Sequence, residues 1–378
     1  MNYPIYLDNN ATTVCDQRVI DAMLPFFTEH YGNASSGNHI FWWKAQETVD
    51  LAREQIAKLI NATPSEIYFT SGATEANNLA LKGFYDFKSE KGNHIITSKI
   101  EHKSVLESCK FLEKKGAEVT YIEVDRHGNI DLNVLEESIK DTTILIAIMT
   151  ANNEIGTINP VNEIGEIARK HNITFFSDGV QALGKIPIDV KKLKFDMLSI
   201  TAHKMYGPKG IGALYINKYH PSLKITPQIL GGGQEFNIRS GTLNVPGIVG
   251  FGMACEIATD EMEMYTENML ILKNHLENSL TTIKGSQING FASERLPNIT
   301  NISFRDFDGE YLLSQANKKI AVSNGSACSS VHQKPSYVLK ELGLSDDLAF
   351  SSLRFGLSRY TTKKEIDIAI EWIKTILL

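Results

Sequence analysis

Met197-Leu198-Ser199-Ile200-Thr201-Ala202-His203-Lys204 reads as a short apolar strand that stops in a hydroxyl, an imidazole and an amine. It is one of a series. Apolar, mostly β-branched or aromatic runs at Ile67–Thr70, His94–Thr97, Val119–Val124, Ile144–Thr150, Ile173–Phe176, Met197–Ile200 and Gly212–Ile216 alternate with helical patterns from Glu66 onward. Near-continuous apolar strands separated by helices predict an α/β layer on a mostly parallel, buried sheet.

In open α/β sheets ligands sit outside the carboxyl ends of the strands, so the residues following each run matter most. Ile67–Thr70 leads into Ser71-Gly72-Ala73-Thr74, and His94–Thr97 leads to Glu101-His102-Lys103. Ile144–Thr150 leads to Asn152-Asn153-Glu154, and Ile173–Phe176 to Ser177-Asp178 with Gln181 beyond. Each has an ordinary reading. Ser71–Thr74 could be a plain strand-to-helix turn, Asp178 an N-cap, His102 a satisfied helix-start histidine and Lys204 a solvated lysine before Gly207-Pro208-Lys209-Gly210. Together they fit one ligand. A helix amino terminus with a Thr hydroxyl cradles phosphate, and desolvation between apolar strands favours the neutral amine that attacks an aldehyde. A buried carboxylate keeps a pyridine nitrogen protonated. The set describes a pyridoxal phosphate site, with Lys204 for the aldehyde, Asp178 for the ring nitrogen and Gln181 for the ring oxygen. His102 would lie over the ring, and Thr74, Thr201 and His203 would hold the phosphate.

Composition agrees with an ordinary globular enzyme. The chain has 378 residues, 42% hydrophobic and 22% charged, with a net charge of -6. It offers no global basic field for nucleic acid or anionic membrane. The amino-terminal MNYPIYLDNN has neither a positive leader nor an apolar core, so no signal peptide is expected. Cys15, Cys109, Cys255 and Cys328 are scattered without CxxC spacing, which argues against a disulfide framework or a structural metal and for a reducing cytoplasm. After Pro246 a helical pattern runs, with breaks, to about Leu280; Ile299–Phe304 reads as a strand. A capping box, Thr362-x-x-Glu365, opens a last amphipathic helix with Ile366, Ala369, Ile370, Ile373 and Leu377 on one face.

Cys328 lies in Ser323-Asn324-Gly325-Ser326-Ala327-Cys328-Ser329-Ser330, a run of small residues ahead of Pro335-Ser336-Tyr337. It is either an incidental loop cysteine or a nucleophile beside a site for sulfur chemistry. The other three cysteines read as packing residues. Arg354, between Leu353 and Phe355, needs an anionic partner, either a structural carboxylate or a substrate carboxylate.

These motifs make the chain resemble the cysteine desulfurases, in the class V aminotransferase group of fold-type I pyridoxal enzymes. The likeness runs from Tyr6-Leu7-Asp8-Asn9-Asn10-Ala11-Thr12-Thr13 through Asn152-Asn153-Glu154-Ile155-Gly156 and His203–Gly210 to Arg239-Ser240-Gly241-Thr242 and the Cys328 segment. It implies a large domain (residues 15–255) with a mostly parallel seven-stranded sheet. It also implies a smaller α+β domain (1–14 with 256–378) that carries the cysteine. It makes Lys204 the cofactor lysine, Asp178 the ring-nitrogen partner and His102 the stacked acid/base. Ala73, Thr74, Asn153, Gln181, Thr201 and His203 become cofactor contacts, Arg354 with Asn153 the substrate-carboxylate site, and Cys328 the persulfide carrier. No metal is implied. Thr242 falls where the family reaches the phosphate of the other subunit, implying a homodimer, and the spacing after Cys328 resembles the long-loop group. L-cysteine would give L-alanine, with sulfur passed to protein acceptors for iron–sulfur cluster assembly, tRNA thiolation or DNA phosphorothioation. Alternatives on this fold are a selenocysteine lyase, an aminotransferase or a non-catalytic sulfur-assembly scaffold. Gly179, Ala34, Asn324 and Gln234-Glu235-Phe236-Asn237-Ile238 depart from the family pattern.

Overall fold

The computed structural model describes residues 4–220, 223–324 and 334–377. Cys328 lies outside them. In chain order the strands are β1 (Ile5–Tyr6), β2 (Ile67–Thr70), β3 (His94–Ser98), β4 (Glu118–Ile122), β5 (Thr143–Ala147), β6 (Thr174–Asp178), β7 (Met197–Thr201) and β8 (Gly212–Ile216), followed by β9 (Ser286–Ile288), β10 (Ile299–Phe304), β11 (Ile320–Ala321) and β12 (Ser352–Gly356). Seven form one sheet in the order β2-β8-β7-β6-β5-β3-β4. β8 runs antiparallel to both neighbours, and the remaining pairs are parallel.

Several strands end a few residues from the sequence reading, and at β5 and β6 the reason is visible. The β5 ladder stops at Ala147 rather than Thr150, yet the Ile148 and Thr150 amides still donate to the Phe176 and Asp178 carbonyls, at 3.1 and 2.9 Å. β6 reaches Asp178 because Ser177 and Asp178 pair with Leu198 and Ser199 of β7. The sheet therefore delivers Asp178 as its last strand residue, not as a helix cap.

Alternate residues along the strands face opposite sides. Ile96, Ile146, Phe175, Leu198 and Ile200 enter one core, and Ile95, Leu145, Phe176, Met197 and Leu214 enter another. A further core joins Ile5 and Leu7 to Tyr265, Leu276, Leu353, Phe355 and the buried face of the last helix. The helix Val245–Leu280 passes from the first of these cores to that one without a break, over 36 residues. Its glycines are packing sites, not interruptions. A Cβ on Gly250 would lie 2.5 Å from the Met23 sulfur, and one on Gly252 would lie 2.7 Å from the Ala52 Cα, so the helix lies close against its neighbours. No helix among the described residues is long and apolar enough to cross a membrane.

Candidate active site

A cavity of about 940 Å³ opens at the carboxyl ends of β2, β5, β6 and β7. Its walls carry Ala73, Thr74, His102, Asn153, Asp178, Gln181, Thr201, His203, Lys204 and Arg354, drawn from sequence positions up to 281 residues apart. Thr242 is exposed and does not line it.

At one end stands the amino terminus of the helix Ala73–Lys88. Its N-cap, Gly72, has φ 150° and ψ 178° and supplies no side-chain cap, a backbone state that only glycine adopts readily. The first amides of this helix are therefore open to an anion. The turn is braced from outside. The Glu75 carboxylate accepts from the Ser71 amide (2.8 Å) and from two nitrogens of Arg239 (2.7 and 3.2 Å). Burial raises the Glu75 pKa, but those hydrogen bonds outweigh it and hold the carboxyl below its ordinary value.

Deeper in, Asp178 is 6% exposed. It accepts from Asn77 Nδ2 at 2.9 Å and from the Val180 amide at 3.0 Å, which fixes its plane. His102 caps the helix Lys103–Glu113, its Nδ1 accepting from the Ser104 amide at 3.1 Å and lying 2.7 Å from the Ser104 hydroxyl. Because an amide can only donate, Nδ1 keeps its lone pair and Nε2 carries the proton of the neutral ring. Burial lowers the His102 pKa; Asp178 opposes that, and Lys204 and Lys103 add to it.

Lys204 Nζ donates to the carbonyls of Asn10 (2.5 Å) and Ala11 (2.6 Å). The buried Lys185 donates to the Lys204 carbonyl at 3.0 Å, and desolvation, helped by the Lys204 charge, lowers its pKa to about 7. His203 Nδ1 lies 3.2 Å from the Thr12 hydroxyl, and burial first, then Lys204, takes its pKa to about 4. The Thr201 hydroxyl donates to the Ile211 carbonyl at 3.0 Å and must turn away from it before it can serve a phosphate oxygen.

Arg354 is 4% exposed and already paired: one nitrogen reaches Asp8 at 2.7 Å and another the Asn153 carbonyl at 3.2 Å. Its Nε is buried without a partner. So are Asn153 Oδ1 and Gln181 Oε1, while Gln181 Nε2 donates to the Asn10 carbonyl at 3.1 Å. Buried polar atoms left unpaired are costly. Their concentration around one cavity, beside an uncapped helix terminus and a fixed carboxylate, suits a flat polar ligand bearing a phosphate. The donor set fits pyridoxal phosphate.

Several contributors escape a strand-end reading. Asn10 and Ala11 act through backbone carbonyls, which side-chain chemistry does not reveal. Asn77 shares a helical face with Leu81 and Phe84, all buried, and a polar residue on an apolar face was the available signal. The methyl position opened by Gly179 is filled by Leu198, whose Cδ1 would lie 2.7 Å from an added Cβ. Glu235, Phe236 and Asn237 take left-handed φ angles of 45°, 55° and 68°. The Glu235 carboxylate anchors them, accepting from Arg53 (2.7 and 2.9 Å) and the Phe69 amide (2.6 Å).

Of the cysteines outside the Cys328 segment, Cys109 and Cys255 are buried and Cys15 is half-buried. Burial pushes the Cys109 thiol up to about 12 and raises the other two as well. None is a ready thiolate at neutral pH.

Comparison with known proteins agrees. The model of the class-V aminotransferase family matches residues 5–368. A cysteine desulfurase IscS of Colwellia psychrerythraea is 50% identical over 376 residues, covering 99% of this chain and 93% of that protein. A solved NifS-like protein has a TM-score of 0.92 at 40% identity, covering 99% of both chains. SspA in complex with cysteine has a TM-score of 0.83 at 37% identity, covering 95% of this chain and all of that one.

Proposed function

Since the chain belongs to the class-V aminotransferases and is a pyridoxal-phosphate-dependent cysteine desulfurase, we propose that Lys204 holds the cofactor and Cys328 takes the sulfur of L-cysteine as a persulfide. The observation that carries the reading is the meeting of Lys204, Asp178 and the uncapped Ala73–Lys88 terminus in one cavity.

Bound pyridoxal phosphate supplies an aldehyde that captures amines and a protonated ring that draws electrons from the α-carbon of a captured amino acid. The Ala73 and Thr74 amides and the Thr74 hydroxyl hold its phosphate, with Thr201 and His203 beside them. Asp178, fixed by Asn77 and Val180, keeps the ring nitrogen protonated by charge pairing. Gln181 and Asn153 offer their unpaired amide oxygens to polar groups in the cavity. Arg354, held by Asp8, receives the substrate carboxylate on its remaining N–H groups, with Asn153 next to it. Lys204 would take the α-proton of the substrate, and His102 would carry a proton near the substrate thiol.

Cys328 then attacks the substrate sulfur as a thiolate. The sulfur–sulfur bond forms and the carbon–sulfur bond breaks, its electron pair staying on carbon. That carbon takes a proton and leaves in L-alanine. The sulfur is oxidised to the sulfane level and the carbon correspondingly reduced, so no outside oxidant is needed. The persulfide passes to protein acceptors of iron–sulfur cluster assembly, tRNA thiolation or DNA phosphorothioation. A homodimer, in which Thr242 serves the neighbouring cavity, completes each site. Residues 15–255 form the large domain, and 1–14 with 256–378 the smaller one.

The test is one turnover with L-cysteine and no keto acid. Wild-type protein should release alanine and carry one extra sulfur on the peptide containing Ser326-Ala327-Cys328. Cys328→Ser should release no alanine, and Lys204→Ala should neither bind cofactor covalently nor turn over. Sulfur on another cysteine, with Cys328→Ser still desulfurating, refutes the assignment.

A further inference from the structure

His102 sits at one end of a hydrogen-bonded chain whose other end is Asp178. Asn77 Nδ2 donates to Asp178 Oδ2 at 2.9 Å and to the Ser104 hydroxyl oxygen at 2.8 Å. That hydroxyl in turn lies 2.7 Å from His102 Nδ1. The directions are fixed chemically. A carboxylate only accepts, so the Asn77 nitrogen faces it, and both hydrogens of that nitrogen are spent on Asp178 and Ser104. Ser104 therefore accepts from Asn77 and has its own hydrogen left for His102.

At Nδ1 two groups meet the ring, and they differ in one respect. The Ser104 amide at 3.1 Å can only donate, so a proton on Nδ1 would face another N–H. The Ser104 hydroxyl can turn, donating to a bare Nδ1 or accepting from a protonated one. Asn77 and Ser104 are both buried, at 0% and 9% exposure, and bulk water is not at hand to replace either.

We infer that Ser104, aligned by Asn77, is a positioning residue whose hydroxyl reverses with the state of His102 and so lets the ring take up and give back a proton without leaving its place. In the neutral state the chain runs Asp178, Asn77, Ser104, His102, and the ring shows Nε2–H to the cavity. In the charged state Ser104 accepts from Nδ1–H, against the fixed amide. The other charges that act on His102 are Asp178, which favours protonation, and Lys204 and Lys103, which oppose it. Ser104 changes none of them. The inference rests on the proposed role of His102 as a proton carrier.

The test is an NMR titration of the His102 ring nitrogens in the full-length, cofactor-loaded protein, assigned with His102→Gln. Wild type should show Nδ1 unprotonated in the neutral ring. Ser104→Ala should weaken proton binding at His102 about tenfold, because the charged form loses its acceptor while the neutral form keeps the amide. Ser104→Thr, which restores a hydroxyl, should recover the wild-type titration, whereas a purely structural role would leave the curves of the two variants alike. Superimposable wild-type and Ser104→Ala titrations overturn the inference. Alanine release by His102→Gln at the wild-type rate would instead remove the proton-carrying role itself, whatever the titrations show.

Discussion

In its proposed role Asp178 works by charge, while Asn77 and Val180 fix its plane. Asp178→Asn keeps the shape and can still accept at one oxygen from the Val180 amide, but it cannot pair with a protonated ring nitrogen. Losing a buried charge partner costs about 3–5 kcal/mol, so turnover should fall at least about a hundredfold with the melting temperature little changed. Steady-state kinetics beside thermal unfolding checks both halves. Glu101 gives a pH-dependent counterpart. Burial raises its pKa to about 8, against hydrogen bonds from the Met149 amide and the Ser98 hydroxyl. The folded state thus holds a proton that the unfolded chain has released between the ordinary carboxyl range and pH 8. Stability contributed by the proton is present at low pH and lost as pH rises through that window. Glu101→Gln should flatten this loss, seen as a smaller fall in melting temperature between pH 5 and 9. Residues such as Asp178 and Lys204 were legible because their chemistry stands at strand ends. Ser104 was not, since a serine at the second position of a helix is ordinary until Asn77, 27 positions away, is known to touch it.

The proposed phosphate cradle is a property of a helix and its turn. Ser71-Gly72-Ala73-Thr74 suggested it in sequence, but the brace from Arg239 through Glu75 could not be read because 164 residues separate the pair. Arg239→Met should loosen the Ser71 turn and weaken cofactor binding about tenfold, as expected for losing a charge-assisted hydrogen bond. An absorbance titration of cofactor-free protein measures it, and unchanged affinity would make the brace incidental. The helix Val245–Leu280 teaches the reverse lesson. It was expected to have breaks and has none, and its glycines pack against neighbours that sequence alone does not show.

At the scale of the molecule, the proposed homodimer has a test that separates it from self-contained sites. Thr242→Ala and Lys204→Ala proteins, mixed and allowed to exchange subunits, should regain activity above the average of the two parents. In a mixed dimer one cavity combines an intact Lys204 with an intact Thr242 from its neighbour. If Thr242 served its own chain, every mixed dimer would hold two impaired cavities and no gain would appear. Sedimentation should show a dimer at micromolar concentration.

The first strand has a consequence for how the molecule comes into being. Ile5 and Tyr6 pair with Ile320 and Ala321, and the Asn9 amide donates to the Gly356 carbonyl at 3.1 Å. Four and five residues past Tyr6, Asn10 and Ala11 hold the Lys204 amine. Residues 5–9 thus wait for residues 320–356, and contacts of such long sequence separation form late. A growing chain on the ribosome can build the sheet that carries Asp178 and Lys204, but it cannot pair residues 5–9 until residue 356 has emerged. The seating of Asn10 and Ala11 against Lys204, and with it the finished wall of the cavity, is therefore expected only once residue 356 is available.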